Sequence, residues 1–178
     1  EPTKDVHGEI NLNAGSFGYK KASATVSGGT DRFKLLVSTS TEQGDQYEDG
    51  NGNDFYEQQV LKGMTSLPNP TNPMMPTNAT YINPNQKAFE KKTLLTKGQF
   101  NINDDQEVKL SYTANRSDNV LYPTGTMDAD YDDSNIYTVG YTARNLGNLS
   151  KELNLDYYYS NVDHPMSTAL RESKKEII

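Results

Sequence analysis

The 178-residue chain contains no cysteine and no tryptophan. Without cysteine, no disulfide framework and no thiolate metal site can form within these residues. Apolar residues are also scarce, at 33%, against about 45–50% in ordinary globular domains, a tally that also counts glycine. No run approaches the roughly 18 apolar residues of a membrane-spanning helix, and no signal peptide opens the chain. A barrel that crosses a membrane with strands is untouched by that absence, because each of its segments is only about ten alternating residues. Positive charge is in deficit too, and a net charge of −7 argues against nucleic acid as a partner.

What is present is aromatic and strand-forming. Twelve tyrosines and five phenylalanines are too many for a solvated tail. With abundant Thr, Ser, Asn and Gly, they imply many β-strands, each with a single apolar face. Alternation is the dominant pattern. Val6, Gly8, Ile10, Leu12 and Ala14 oppose His7, Glu9, Asn11 and Asn13. The same period sets Ala22, Ala24 and Val26 on one face, then Phe33, Leu35 and Val37. It continues with Thr96, Gly98, Phe100 and Ile102, and with Val108, Leu110, Tyr112 and Ala114. Tyr137, Val139, Tyr141 and Ala143 follow, then Leu153, Leu155, Tyr157 and Tyr159. About seven strands are expected.

Their connections differ in length. Residues 15–21, 28–32, 103–106 and 145–150 are short turns rich in Gly, Asn and Asp. Residues 42–88 and 116–134 read as long polar loops. Apart from the first hairpin, short and long connections alternate, as in outer-membrane barrels with short periplasmic turns and long extracellular loops. One face is aliphatic and aromatic and the other uniformly polar, and Tyr19, Tyr112, Tyr122, Tyr137, Tyr157 and Tyr159 fall near strand ends, where an interfacial girdle would lie. The expected fold is therefore all-β: part of an antiparallel transmembrane β-barrel. Bacterial barrels of this kind have at least eight strands, so the chain reads as a piece of a longer protein. The reading of another class is a soluble β-rich adhesin or carbohydrate-binding module.

The stretch GEINLNAGSFGYKKASATVSGGTDRFKLLVSTSTEQGDQYEDGNG (8–52) resembles the first barrel strands of TonB-dependent outer-membrane receptors, and the resemblance runs over nearly the whole chain. It implies a barrel of 22 strands, of which about seven are here, with a plug domain and a TonB-contacting segment outside these residues. Outer-membrane lipid and the TonB complex would be the partners. Residues 118–146 and the stretch YYYSNVDHPMSTALR (157–171) resemble the copper receptors of that family. The resemblance implies a His-x-Met pair that binds copper together with a Cys-x-x-x-Met pair from the plug. It also implies transport rather than enzymatic chemistry. His164 and Met166 occupy the His and Met positions, with Pro165 where a small apolar residue is expected.

Strand parity from Glu152, Asn154, Asp156 and Ser160 places His164 and Met166 together on the polar, lumen-facing side. Imidazole plus thioether is a soft ligand pair that suits Cu(I) and is a weak choice for Ca or Mg. Two ligands bind weakly, so partners from another segment are required. Taken without the resemblance, the HPM stretch reads as a capped strand end with an incidental His and Met. Met74, Met75 and Met127 are secondary candidates for metal capture, although a Pro-rich loop tip is the favoured reading of the first two. Asp128, Asp130, Asp132 and Asp133 lack the spacing of a calcium loop and read as a solvated acidic loop. His7 receives no ligand role. A ferric siderophore, haem or nickel is the alternative cargo, for which Tyr47, Tyr56 and Tyr81 are available.

Overall fold

A computed structural model describes residues 1–61, 80–83, 85–148 and 150–172. Seven strands form one antiparallel meander in chain order: β1 (His7–Ala14), β2 (Lys20–Gly29), β3 (Phe33–Asp45), β4 (Lys87–Asn103), β5 (Gln106–Val120), β6 (Asp128–Arg144) and β7 (Glu152–Asp163). A two-residue strand, β8 (Met166–Ser167), pairs with β6 off this path. One short helix, α1 (Phe55–Leu61), lies between β3 and β4. Its N-cap is Asp54, which accepts the Glu57 N–H at 2.8 Å while the Glu57 carboxylate reaches back to the Asp54 N–H at 3.1 Å, a reciprocal capping box. Among the described residues no helix is long and apolar enough to cross a membrane. The fold is the all-β, partial-barrel sheet that alternation implied.

Register lines the apolar positions up in rows. Phe33, Phe100, Val108, Tyr141 and Leu155 stand side by side across β3 to β7. The next row is Leu35, Gly98, Leu110, Val139 and Tyr157, and the next Val37, Thr96, Tyr112, Tyr137 and Tyr159. Two rows further on, the same face turns charged at Lys92, Arg116, Asp133 and Asp163. Leu110 remains 53% exposed and Leu155 56%, so nothing among the described residues covers this face. A soluble sandwich would bury it against a second sheet; the described residues form one sheet.

Tyr19 and Tyr122 flank the ends of β2 and β5 as expected, but three of the other tyrosines form a row in the middle of their strands. Tyr112 and Tyr137 stack at 4.9 Å, with Tyr159 6.2 Å beyond, in the middle of strands of 15, 17 and 12 residues. The strands run on past the aromatic row toward the long-loop rim. Residues 116–134, expected as a loop, are accordingly mostly strand: Arg116, Ser117, Asp118 and Val120 pair with Asp133, Asp132, Tyr131 and Ala129. Only residues 121–127 connect β5 to β6. The other expected long loop shortens to 46–86. Backbone pairing satisfies N–H and C=O groups whatever the polarity of the side chains, so a polar stretch can continue a ladder.

The opposite face is polar but not uniformly so, since Leu36, Leu95 and Ile136 interrupt it, each directly opposite polar partners such as Lys97, Ser38 and Ser160. The N-terminal residues lie on this face. The Thr3 N–H donates to the Ser27 hydroxyl at 2.8 Å, and Glu1 and Pro2 close a cavity of about 260 Å³ with Lys97, Gln99, Lys109 and Asp156. At the short-turn rim, Arg144 donates to Glu107 at 2.8 Å and Gln99 donates to its other oxygen at 2.9 Å.

The buried cluster lies at the long-loop rim, not against the sheet. Phe55, Tyr81 and Leu121 form it, with Ala88 and Leu170 packed alongside. It draws together the 46–86 connection, the 121–127 turn and the residues after β8.

Candidate functional site

The HPM stretch sits where β7 gives way to β8. Asp163 is the last β7 residue and pairs with Asp133, whereas beyond Pro165 the partners are Met166 with Ala129 and Ser167 with Asp128. The register therefore slips by one residue across Pro165. Proline lacks the ladder N–H, yet its carbonyl still accepts the Asp130 N–H at 3.1 Å, so the chain stays attached to β6 through the slip.

The slip changes the expected geometry. Directly paired residues share a face of a sheet, and Ala129 has the parity of Tyr131 and Asp133 along β6. His164 instead approaches Asp132, of the opposite parity, with Nδ1 3.4 Å from Oδ2. The expectation that strand alternation points His164 and Met166 the same way assumed an uninterrupted register. Met166, opposite Ala129, takes the parity of the apolar rows, whereas His164 lies toward Asp132 on the other parity, so strand pairing does not bring the two to one side of the sheet as expected.

His164 is held on two sides. Asp132 faces Nδ1, and the Tyr122 ring meets the imidazole edge-on with centroids 6.2 Å apart. Met166 is 37% exposed, so its thioether is accessible from solvent. Among the described residues no group of three or more His, Cys, Asp or Glu is arranged to hold a metal ion.

The other candidates separate. Met127 ends the 121–127 turn, half-buried and one residue before Asp128. Met74 and Met75 lie outside the described residues. His7 opens β1 opposite Ser27, at the short-turn rim and far along the sheet from HPM. Of the tyrosines available to an iron chelate, Tyr47 is exposed and packs edge-on against Phe55 at 4.5 Å, while Tyr81 is fully buried. Tyr81 is thus removed from any surface role.

The acidic run is not a solvated loop. It belongs to β6, and each carboxylate has a partner. Asp133 meets Arg116 at 3.4 Å, Asp132 meets His164, and Asp130 accepts the Ser167 hydroxyl at 2.6 Å. Asp128, 1% exposed, receives the guanidinium of Arg171, 0% exposed. Nε reaches Oδ2 at 2.5 Å and a terminal nitrogen reaches Oδ1 at 2.9 Å, the two-pronged geometry that makes such pairs strong. The Tyr81 hydroxyl donates to the same carboxylate at 2.9 Å, and the guanidinium lies over the Tyr81 ring at 4.3 Å. Burial first, and then the negative charge of Asp128, push the Tyr81 phenol far above its ordinary range. Sequence reading missed this assembly. Arg171 is one basic residue among many, 43 positions from its partner, and no local spacing marks it.

No protein-family model matches the chain, and no curated protein does either. Solved structures do. The copper transporter OprC superposes on 96% of this chain with a TM-score of 0.70 at 18% sequence identity. The chain spans 22% of that protein's length. At that identity the likeness establishes a shared fold.

Proposed function

We propose that this chain is the N-terminal part of the barrel of a TonB-dependent outer-membrane transporter, and that its cargo is copper. The observation that carries the membrane reading is the open apolar face. Its rows of Leu, Val and Phe end in an aromatic row and then a charged row, the order a strand meets on leaving a bilayer. A plug domain, the remaining strands and a TonB-contacting segment would belong to the same longer protein.

Three features support copper as the transported ion: the likeness to OprC, the soft ligand pair His164 and Met166, and their place at the long-loop rim. Capture would begin there. The imidazole Nε2 and the thioether sulfur offer two soft donors to Cu(I), and plug ligands would complete the coordination. Movement of the plug under TonB force would then break that set and release the ion to the periplasm. No covalent bond is made or broken in such a cycle, so no catalytic residue is assigned. A ferric siderophore is the weaker reading, because buried Tyr81 leaves fewer aromatic contacts for it.

The test is Cu(I) affinity of the intact protein, measured by competition with a chromogenic chelator. Replacing His164 and Met166 together by Ala is expected to weaken binding by at least tenfold, about 1.4 kcal/mol. Unchanged affinity would end the copper reading. The membrane reading has its own check: the intact protein should fractionate with outer membranes and need detergent to stay monodisperse.

A further inference from the structure

We infer that Arg171 and Asp128 are positioning residues of the rim site, an inference that rests on the copper-capture reading above. The observation is a chain of contacts. The Asp128 carboxylate accepts the Tyr122 N–H at 2.7 Å, and the Arg171 guanidinium donates to the Tyr122 carbonyl at 3.0 Å. Both backbone groups of Tyr122 are therefore held by the buried ion pair. The Tyr122 ring is in turn the wall against which the His164 imidazole lies.

The same pair fixes the other side of the site. Asp128 is the first residue of β6 and pairs with Ser167 of β8, directly after Met166. Arg171 lies four residues beyond Ser167, and its backbone bridges to Tyr81 while the Ile82 N–H donates to the Leu170 carbonyl at 3.0 Å. The segment carrying His164 and Met166 is thus tied at both ends. Pro165 and β8 hold it to β6, and Arg171 holds it to the Tyr122 turn and to Tyr81. Such a device suits a half-site whose two donors are not set by strand alternation. A two-pronged, fully buried pair has one geometry, and breaking one partner leaves an uncompensated charge.

The pair also explains why Tyr81 and Gln59 are buried. Gln59 accepts the Tyr81 N–H at 3.2 Å, so α1 is tied into the same knot.

The test uses the intact membrane-inserted protein and three variants: Arg171→Gln, Asp128→Asn and His164→Ala. Barrel integrity is checked by heat-modifiable gel mobility. Two readouts follow, Cu(I) affinity by chelator competition and the methyl resonance of Met166 in protein carrying ¹³C-methyl methionine, recorded without copper. Arg171→Gln is expected to shift and sharpen the Met166 resonance and to weaken Cu(I) binding by about 10–100-fold, the usual effect of losing a group that orients a ligand. If the barrel fails to form in that variant, Asp128→Asn, which keeps size and removes charge, must give the same two changes. A shifted resonance with unchanged Cu(I) affinity, while His164→Ala still weakens binding, overturns the positioning role and leaves the capture reading standing. An unmoved Met166 resonance overturns it as well. No loss of affinity in His164→Ala overturns the capture reading itself, and the positioning role with it.

Discussion

Tyr112 and Tyr137 stack across β5 and β6 at 4.9 Å, and the Tyr112 hydroxyl donates to Asn135 at 2.8 Å, toward the charged row. The rings lie among apolar neighbours while a phenol points at polar ones. On the proposed membrane reading, that is the arrangement of an aromatic belt at the bilayer interface. It fixes where along each strand the apolar environment ends.

Depth then predicts the cost of charge. Leu110 lies in a row flanked by further apolar rows, whereas Leu94 is next to the charged Lys92 row. Leu110→Arg is expected to destabilise the intact barrel by about 2–4 kcal/mol and Leu94→Arg by about 0–1. Urea unfolding in lipid vesicles measures both. Equal costs would contradict the assigned belt.

Gly18 predicts a local weakness at the long-loop rim. It sits at φ +62, and a Cβ there would overlap the Asp45 carboxylate. The Asp45 N–H also donates to the Phe17 carbonyl at 2.9 Å, so the β1–β2 turn is stitched to the end of β3. Gly18→Ala should cost at least about 1–2 kcal/mol from backbone conformation alone. Faster amide exchange at Asp45, with β4 to β6 unchanged, is the expected signature.

Legibility followed the range of each signal. Period-two alternation is local, so the positions of Leu110, Val139 and Leu155 and the single-faced sheet could be read directly. Strand length could not, because Arg116, Ser117 and Asp132 look like loop residues yet pair in a ladder above the apolar band. The slip at Pro165 was hidden for a different reason. Register belongs to two strands at once, and the sequence of β7 alone does not say which β6 residue it will meet. The Arg171–Asp128 pair was hidden by separation in the chain. His164 and Met166 were legible through their residue types, but their geometry was not.

Tyr81 predicts a pH response. Its folded phenol is raised far above the unfolded value of about 10. The stabilisation it contributes is therefore fully present below about pH 10 and is lost as pH rises beyond that. In a tyrosinate titration at 295 nm, one tyrosine should lag until the rim opens, and Tyr81→Phe should abolish that lagging phase alone. Loss of amplitude from the main phase instead would place Tyr81 in solvent.

Pro165 predicts the reverse of a proline insertion. The ladder from Asp163 to Asp133 would continue as residue 165 opposite Tyr131 and residue 167 opposite Ala129 if the slip were erased, turning Met166 to the parity of His164. Pro165→Ala restores the missing N–H and removes the ring that disfavours continuation. The variant should extend β7, seen as new amide protection at residues 165–167. It should also weaken Cu(I) binding, because the turn that now presents the two donors would be replaced by regular strand. New protection with tighter binding would mean that strand alternation, not the slip, is the geometry copper prefers. Absence of new protection would mean that β8 is held in register by Ser167 on Asp130 and by the Arg171 clasp, with Pro165 only marking the place.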